Sequence, residues 1–258
     1  MDTKAIARLS QFGYRFDHGS THTARTMMLQ ELTTLLSFVT CPNATQTDYL
    51  RAIEDENCLG KRSGRTRRLT YRHLVALYIL NPSSIVFRAL LFFWQRDAAG
   101  QPLLALLCAY TRDSILRAST GYIIALPQDA VVSPFSTEQF IEARYPGRFS
   151  KATLGTTARN LNSTWTKTGH LAGHDPKIRS QAMPTPGAVA YALMLAYLTG
   201  VRGEALFNSE YVKVLDCTFQ QAIELAEDAS RRGWLVLKRL GNVIEVIFPN
   251  LLTKREME

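Results

Sequence analysis

Cysteine is scarce and scattered in this chain: Cys41, Cys58, Cys108 and Cys217 form no CxxC pair, and no histidine stands at zinc-finger spacing. Neither a disulfide framework nor a structural zinc is expected, which suits a reducing cytoplasm. Long apolar runs are also missing. The most hydrophobic region, residues 85–110, is interrupted by Arg88, Gln95, Arg96, Asp97 and Gln101, so it falls short of the ~18–20 residues that a membrane helix needs. Residues 1–16, MDTKAIARLSQFGYRF, lack the apolar stretch of a signal peptide. The runs between 85 and 110 therefore read as buried helices, with Phe87, Phe92, Phe93 and Trp94 in the core. No GxxxxGK[ST], GxSxG or HExxH pattern occurs, and no catalytic residue, metal or cofactor is expected.

What is present is a folded composition with uneven charge. Of 258 residues 46% are apolar and 20% charged, enough apolar surface to offset the entropy of ordering the chain. The net charge of +8 divides into −2 for residues 1–60, +6 for 61–72, +1 for 73–130, +4 for 131–180 and −1 for 181–258. The sharpest excess is KRSGRTRRLTYR, carrying Lys61, Arg62, Arg65, Arg67, Arg68 and Arg72 with no acid among them. Like charges this dense repel one another unless a polyanion sits nearby, so nucleic acid is the first partner to consider; a solvated loop is the bland alternative.

The pattern predicts a mainly α fold: an N-terminal helical bundle, residues 1–130, followed by a helix-turn-helix and winged-helix-like region, residues 131–258, with a small β-hairpin. Expected helices span 24–39 (stopped by Pro42), 47–56, 71–80 (capped by Thr70), 83–95 (opened by Asn81-Pro82) and 103–117. After a short mixed segment, a Ser136/Gln139 capping box starts 138–144, and Ser150 caps 151–167, whose Leu154, Ala158, Leu161 and Trp165 form one apolar stripe. Helices at 187–199, 204–215 and 219–232 (capping box Thr218/Gln221) precede alternating segments 234–240 and 243–248 about a Gly241-Asn242 turn.

The helix 151–167 carries Lys151, Thr156, Arg159, Asn160, Asn162, Ser163 and Lys167 away from that stripe and nothing acidic. Side chains of these types donate to phosphates and read base edges, and the preceding short helix and Pro146-Gly147 turn give the layout of a recognition helix in a major groove. Residues 169–179 read as a small wing or loop bringing Lys177 and Arg179 to an adjacent phosphate, with the Gly and Pro content arguing against a His170/His174 metal pair. In the terminal winged helix the third helix shows Glu224, Glu227 and Asp228, which oppose phosphate, leaving Lys238 and Arg239 at the wing; Arg231 and Arg232 suit the helix dipole.

Taken in order, TARTMMLQELTTLL, ENCLGKRSGRTRRLTYRHLVALYILNP, RDSILRAST, SKATLGTTARNLNSTWTKTGHL and the terminal helix and hairpin resemble the BrxA family of bacterial BREX phage-defence systems. The resemblance implies a cytoplasmic, mostly helical, non-catalytic DNA-binding accessory protein. It would act beside a methyltransferase, a PglZ-type protein and ATPases, with Arg65, Arg67, Arg68 and the Ser/Thr/Asn helix at the DNA. The expected partner is thus double-stranded DNA, held by the basic segment and the 151–167 helix on one shared face. Two other readings stay open: a protein-interaction scaffold, and a metal-dependent nuclease using Glu54, Asp55 and Glu56.

Overall fold

The computed structural model describes residues 3–41, 44–241, 243–253 and 256. Its elements run α1 (Thr3–Phe12), a 3-10 turn (Thr21–Thr23), α2 (Leu29–Phe38), α3 (Gln46–Glu54), α4 (Gly64–Tyr78), α5 (Ile85–Trp94), α6 (Gln101–Tyr110) and α7 (Ser114–Ile124). Then follow β1 (Val131–Val132), α8 (Pro134–Arg144), α9 (Lys151–Lys167), β2 (Leu171–Ala172), β3 (Lys177–Arg179), α10 (Pro186–Leu198), a 3-10 turn (Gly203–Leu206), α11 (Glu210–Lys213), α12 (Phe219–Arg231), β4 (Val236–Leu240) and β5 (Val243–Ile247). The fold is mainly helical with the expected hairpin, β4 pairing antiparallel with β5. A second small sheet of order β1-β3-β2 closes over the end of α9.

The centre is α10. Every residue of it from Gly187 to Leu198 is buried, and it packs on α5 and α6 from one side and on α11 and α12 from the other. An all-round apolar helix can be satisfied only this way. Its first turn is held from across the molecule: Asp97, in the α5–α6 connection, accepts the Gly187 N–H at 2.8 Å. A Cβ at Gly187 would stand 2.4 Å from the same carboxylate oxygen, so glycine is required by close approach. The buried apolar residues accordingly form one cluster from Leu9 to Leu252 that crosses residue 130 without a break. Phe87, Phe93 and Trp94 belong to it, and Phe92 packs against it half-buried.

Several expected boundaries are corrected by hydrogen bonding that only the tertiary structure supplies. Residues 24–28 are not helical, and α2 begins at Leu29 after Met28 at φ 52°. The Met27 N–H is taken by Thr164 Oγ1 at 3.0 Å and the Met27 carbonyl by the Tyr78 hydroxyl, so neither can join a helical ladder. Pro42 lies outside the described residues, as does Asn242 of the hairpin turn. Thr70 is not a cap: Ser63 caps α4, its Oγ accepting from the Thr66 N–H at 3.2 Å, and the basic segment itself becomes helix. The span 103–117 divides into α6 and α7 because Asp113 caps a new helix through the Leu116 N–H. Ser84 rather than Asn81 precedes α5, Ser133 caps α8 in place of the Ser136 box, and 204–215 holds only a 3-10 turn and the short α11. The Ser150 cap, the bounds of α9, and the Thr218/Gln221 box of α12 are as expected.

Candidate nucleic-acid interface

On α4 the spacing of the cations decides their directions. Arg65, Arg68 and Arg72 recur at i, i+3 and i+7, one exposed stripe that also carries Leu69, while Thr70, Leu74, Leu77 and Tyr78 face the core. Arg62 and Arg65 are exposed and make no ion pair among the described residues, nor does Arg72. The other three of the segment are anchored. Lys61 pairs with Glu31 at 3.1 Å, Arg67 donates to the Glu54 carbonyl at 2.7 Å with its Nε buried and unpartnered, and Arg68 lies 3.5 Å from the Glu54 carboxylate while staying 73% exposed. At this exposure the Arg68–Glu54 contact is weak and leaves the guanidinium available to a partner.

The expected partner helix α9 is largely clasped. Its face at Asn160, Thr164 and Lys167 grips residues 22–27: the Asn160 amide donates to the His22 carbonyl at 2.9 Å, Thr164 accepts from Met27, and Lys167 Nζ donates to Thr26 Oγ1 at 3.0 Å. On another side Asn162 is buried against α8, where Thr137 donates to its Oδ1 at 2.9 Å and its Nδ2 has no partner. Trp165 is fully buried and donates to Ser119. Thr156 and Thr166 return their hydroxyls to the helix carbonyls of Ala152 and Asn162. Asn162 is therefore removed from the contact set, Asn160 is engaged in the fold, and Ser163 is half-buried. Of the residues named as contacts on α9 only Lys151, Arg159 and Lys167 stand exposed.

Beneath the clasp lies a buried polar centre that the sequence did not signal. The Asp113 carboxylate accepts from Ser20 Oγ (2.7 Å), the Thr21 N–H (2.7 Å) and the Leu116 N–H (3.0 Å), and sits 3.0 Å from His22 Nδ1; His22 Nε2 in turn lies 2.9 Å from Thr164 Oγ1. Desolvation alone would raise the Asp113 pKa, but His22 and these donors hold it down at about 2. Aspartate, histidine and hydroxyl in sequence invite a hydrolytic reading. With His22 and Thr164 fully buried, no substrate reaches the hydroxyl, and the centre instead rivets residues 20–22 to α7 and α9.

The clasp nevertheless brings the two basic elements together. Residues 22–27 touch α9 through the three bonds above and α4 through Tyr78, and they carry the exposed Arg25. Half-buried His73 of α4 has its pKa lowered first by burial and then by the charges of Arg25 and Arg72. Residues 22–27, which carry Arg25, thus link α4, which carries Arg72, to α9, which carries Lys167. Arg25 was not among the sequence candidates, because a lone arginine in an apparent helix gives no signal.

The remaining candidates divide. Arg179 is buried, bonded to Asp216 at 2.8 Å and to the carbonyls of His170 and Ser180, so it is a core ion pair and not a phosphate contact. Lys177 is half-buried with Nζ on the Gly173 carbonyl, Lys238 pairs with Glu245 at 3.3 Å, and Arg239 is exposed without an ion pair among the described residues. On α12 Glu224 and Glu227 are exposed, while Asp228 binds Arg231 and Arg232, so these arginines serve a carboxylate. His170 is buried between Thr168 Oγ1 and the Val214 carbonyl, far from metal-ligand geometry, and desolvation lowers its pKa to about 4. No group of three or more metal-ligating side chains gathers among the described residues, and no described helix is long and apolar enough to cross a membrane.

No protein-family model matches the sequence, and no curated protein matches it.

Proposed function

We propose that this chain is a non-catalytic double-stranded DNA-binding accessory protein, cytoplasmic, of a bacterial phage-defence system of the BREX kind. The defence setting, with its methyltransferase, PglZ-type protein and ATPase partners, rests on the resemblance to the BrxA family. The DNA reading rests on one observation: exposed Arg65, Arg68 and Arg72 line the outer side of α4 with exposed Arg62 just before it, and the segment 22–27, which carries exposed Arg25, bonds both to α4 and to α9, where Lys167 is exposed. Guanidiniums on a rigid helix suit phosphates, and with few side chains free to reach base edges the grip is sequence-tolerant. In the nuclease alternative Glu54 and Glu56 would hold a metal, yet Glu54 sits by Arg68 and Glu56 by Arg51. The scaffold alternative finds support in the acidic outer face of α12, which suits a protein partner.

Fluorescence anisotropy on a labelled duplex across 50–200 mM salt tests the proposal. Affinity falls steeply with salt, and Arg65→Glu combined with Arg72→Glu abolishes the shift at 150 mM salt while the melting temperature is kept. With neutral replacements, Arg65→Gln and Arg72→Gln, the log–log salt slope drops by about 2. A flat salt response, or an unchanged affinity in the double glutamate variant, rejects it.

A further inference from the structure

Exposed apolar side chains pair up at the tip of the β4–β5 hairpin. The register sets Leu240 directly opposite Val243, and the two are 85% and 70% exposed. Ile244 and Val246 of β5 are buried and own the inner side of the hairpin, so the Leu240–Val243 rung, out of phase with them, lies on the outer side beside the Lys238–Glu245 pair. A lone exposed leucine is ordinary, but two apolar neighbours beside a tight turn, where polar residues are the rule, make a knob. Arg239, one residue before Leu240, is exposed and has no ion pair among the described residues.

A groove of about 540 Å³ runs along the outer side of α8. Phe135, Glu138, Glu142 and Ala143 recur there at helical spacing, Pro146 follows just past the end of the helix, and Leu154 of α9 closes the far side. Phe135 is 65% exposed, so its ring is open to a partner. Residues 131–180 are net +4 and hold only three acids, yet two of them, Glu138 and Glu142, line this groove and no lysine or arginine does. Glu142 accepts the Gly147 N–H at 2.8 Å, whereas Glu138 has no hydrogen bond or ion pair among the described residues. Knob and groove both stand open, so neither fills the other within one chain.

We infer that the hairpin tip of one copy docks in the α8 groove of a second copy, with Leu240 and Val243 against Phe135 and Leu154, and Lys238 and Arg239 toward Glu138 and Glu142. The occupant follows from complementarity: an apolar knob flanked by cations meets an apolar groove flanked by carboxylates, and every copy carries one of each. Such a contact joins two different patches. Each copy therefore keeps a free knob on one side and a free groove on the other, and the assembly grows by addition unless its rotation closes a ring. The inference does not depend on the duplex-binding face, since α4 belongs to neither surface.

Analytical ultracentrifugation of the full chain, free of nucleic acid and taken from low to high micromolar concentration, tests it. The weight-average mass climbs above the 29.0 kDa of one chain. Leu240→Asp and Phe135→Asp each weaken the association at least tenfold, because a carboxylate replaces the apolar contact. Both sites are exposed, and an acid in the first turn of α8 suits the helix dipole, so melting temperature and duplex affinity stay those of the native chain. Mixing the two variants settles which surfaces meet: the Leu240→Asp chain keeps its groove and the Phe135→Asp chain its knob, so the mixture forms one contact and a two-chain species that neither forms alone. A mass that stays at 29.0 kDa throughout, an association that survives either variant, or a mixture that fails to pair overturns the inference. Loss of duplex binding in Leu240→Asp with no change of mass also overturns it, giving the tip to nucleic acid instead.

Discussion

Helices α4 and α9 both present polar sequence patterns suited to nucleic acid, and they use their side chains in opposite ways. On α4 three guanidiniums, those of Arg65, Arg68 and Arg72, point outward and the helix is held by an apolar inner face. On α9 the hydroxyls and amides turn inward, to Thr137, His22, Met27 and the helix's own carbonyls. The difference follows from the cost of desolvation. An unpaired charge cannot be buried without several kcal/mol of penalty, so a run of arginines must end on the surface; a hydroxyl needs only one or two partners, which a protein interior supplies readily. Where this chain does bury a guanidinium, at Arg179, it supplies the Asp216 carboxylate and two carbonyls with it.

The comparison breaks most visibly at the centre that fastens α9. Asp113→Asn leaves His22, Ser20 and the Thr21 N–H competing for a neutral amide, and removing one partner of a buried, hydrogen-bonded charge costs about 3–5 kcal/mol, to be read from urea unfolding midpoints. A loss below 1 kcal/mol would mean that the clasp is not what holds residues 20–27.

His170, buried between Thr168 and Val214, gives a pH signature of about 3 kcal/mol. The folded His170 pKa, about 4, lies below the unfolded value of about 6.5, so the unfolded chain takes the proton first. Its share of stability is complete above pH ~6.5 and is lost as the pH falls toward 4. Asp113, at about 2 folded against about 3.9 unfolded, loses its own share between pH ~4 and 2. Unfolding free energies measured from pH 7 to 4 should decline in the native chain and flatten in His170→Gln.

Thr164→Val keeps the shape of α9 but orphans the Met27 N–H and His22 Nε2, an expected loss of about 2 kcal/mol. DNA affinity at the Arg25 edge of the cationic face should fall with it if that edge depends on the clasp; equal affinity would show α4 acting alone. The smallest effect belongs to Arg159→Ala. It should leave the melting curve unchanged and shift duplex affinity less than any α4 arginine; a larger loss would restore α9 as a principal contact.

Much of this was legible beforehand where the signal was local. The Ser150 and Thr218 caps, α9 and α12, the hairpin and the core aromatics follow from caps, periodicity and turn residues close in sequence. The basic segment reads as a contact from its charge, whereas its helix rests on the Ser63 cap and on an inner face that packs against the core. Asn162 and Arg179 read as contacts from the sequence but are buried, since their partners, Thr137 and Asp216, lie 25 and 37 residues away. Arg25 has no such local signal, because the bonds that set its segment run to Tyr78 of α4 and Thr164 of α9.

The amino-acid sequence by itself determined that this chain folds around apolar helices and that its positive charge gathers in two stretches, because periodicity, capping and net charge act over a few residues. Only the tertiary structure decided which polar groups would be available to a partner. A hydroxyl or amide turns inward when a distant residue offers a hydrogen bond, and that partner is set by packing across the chain.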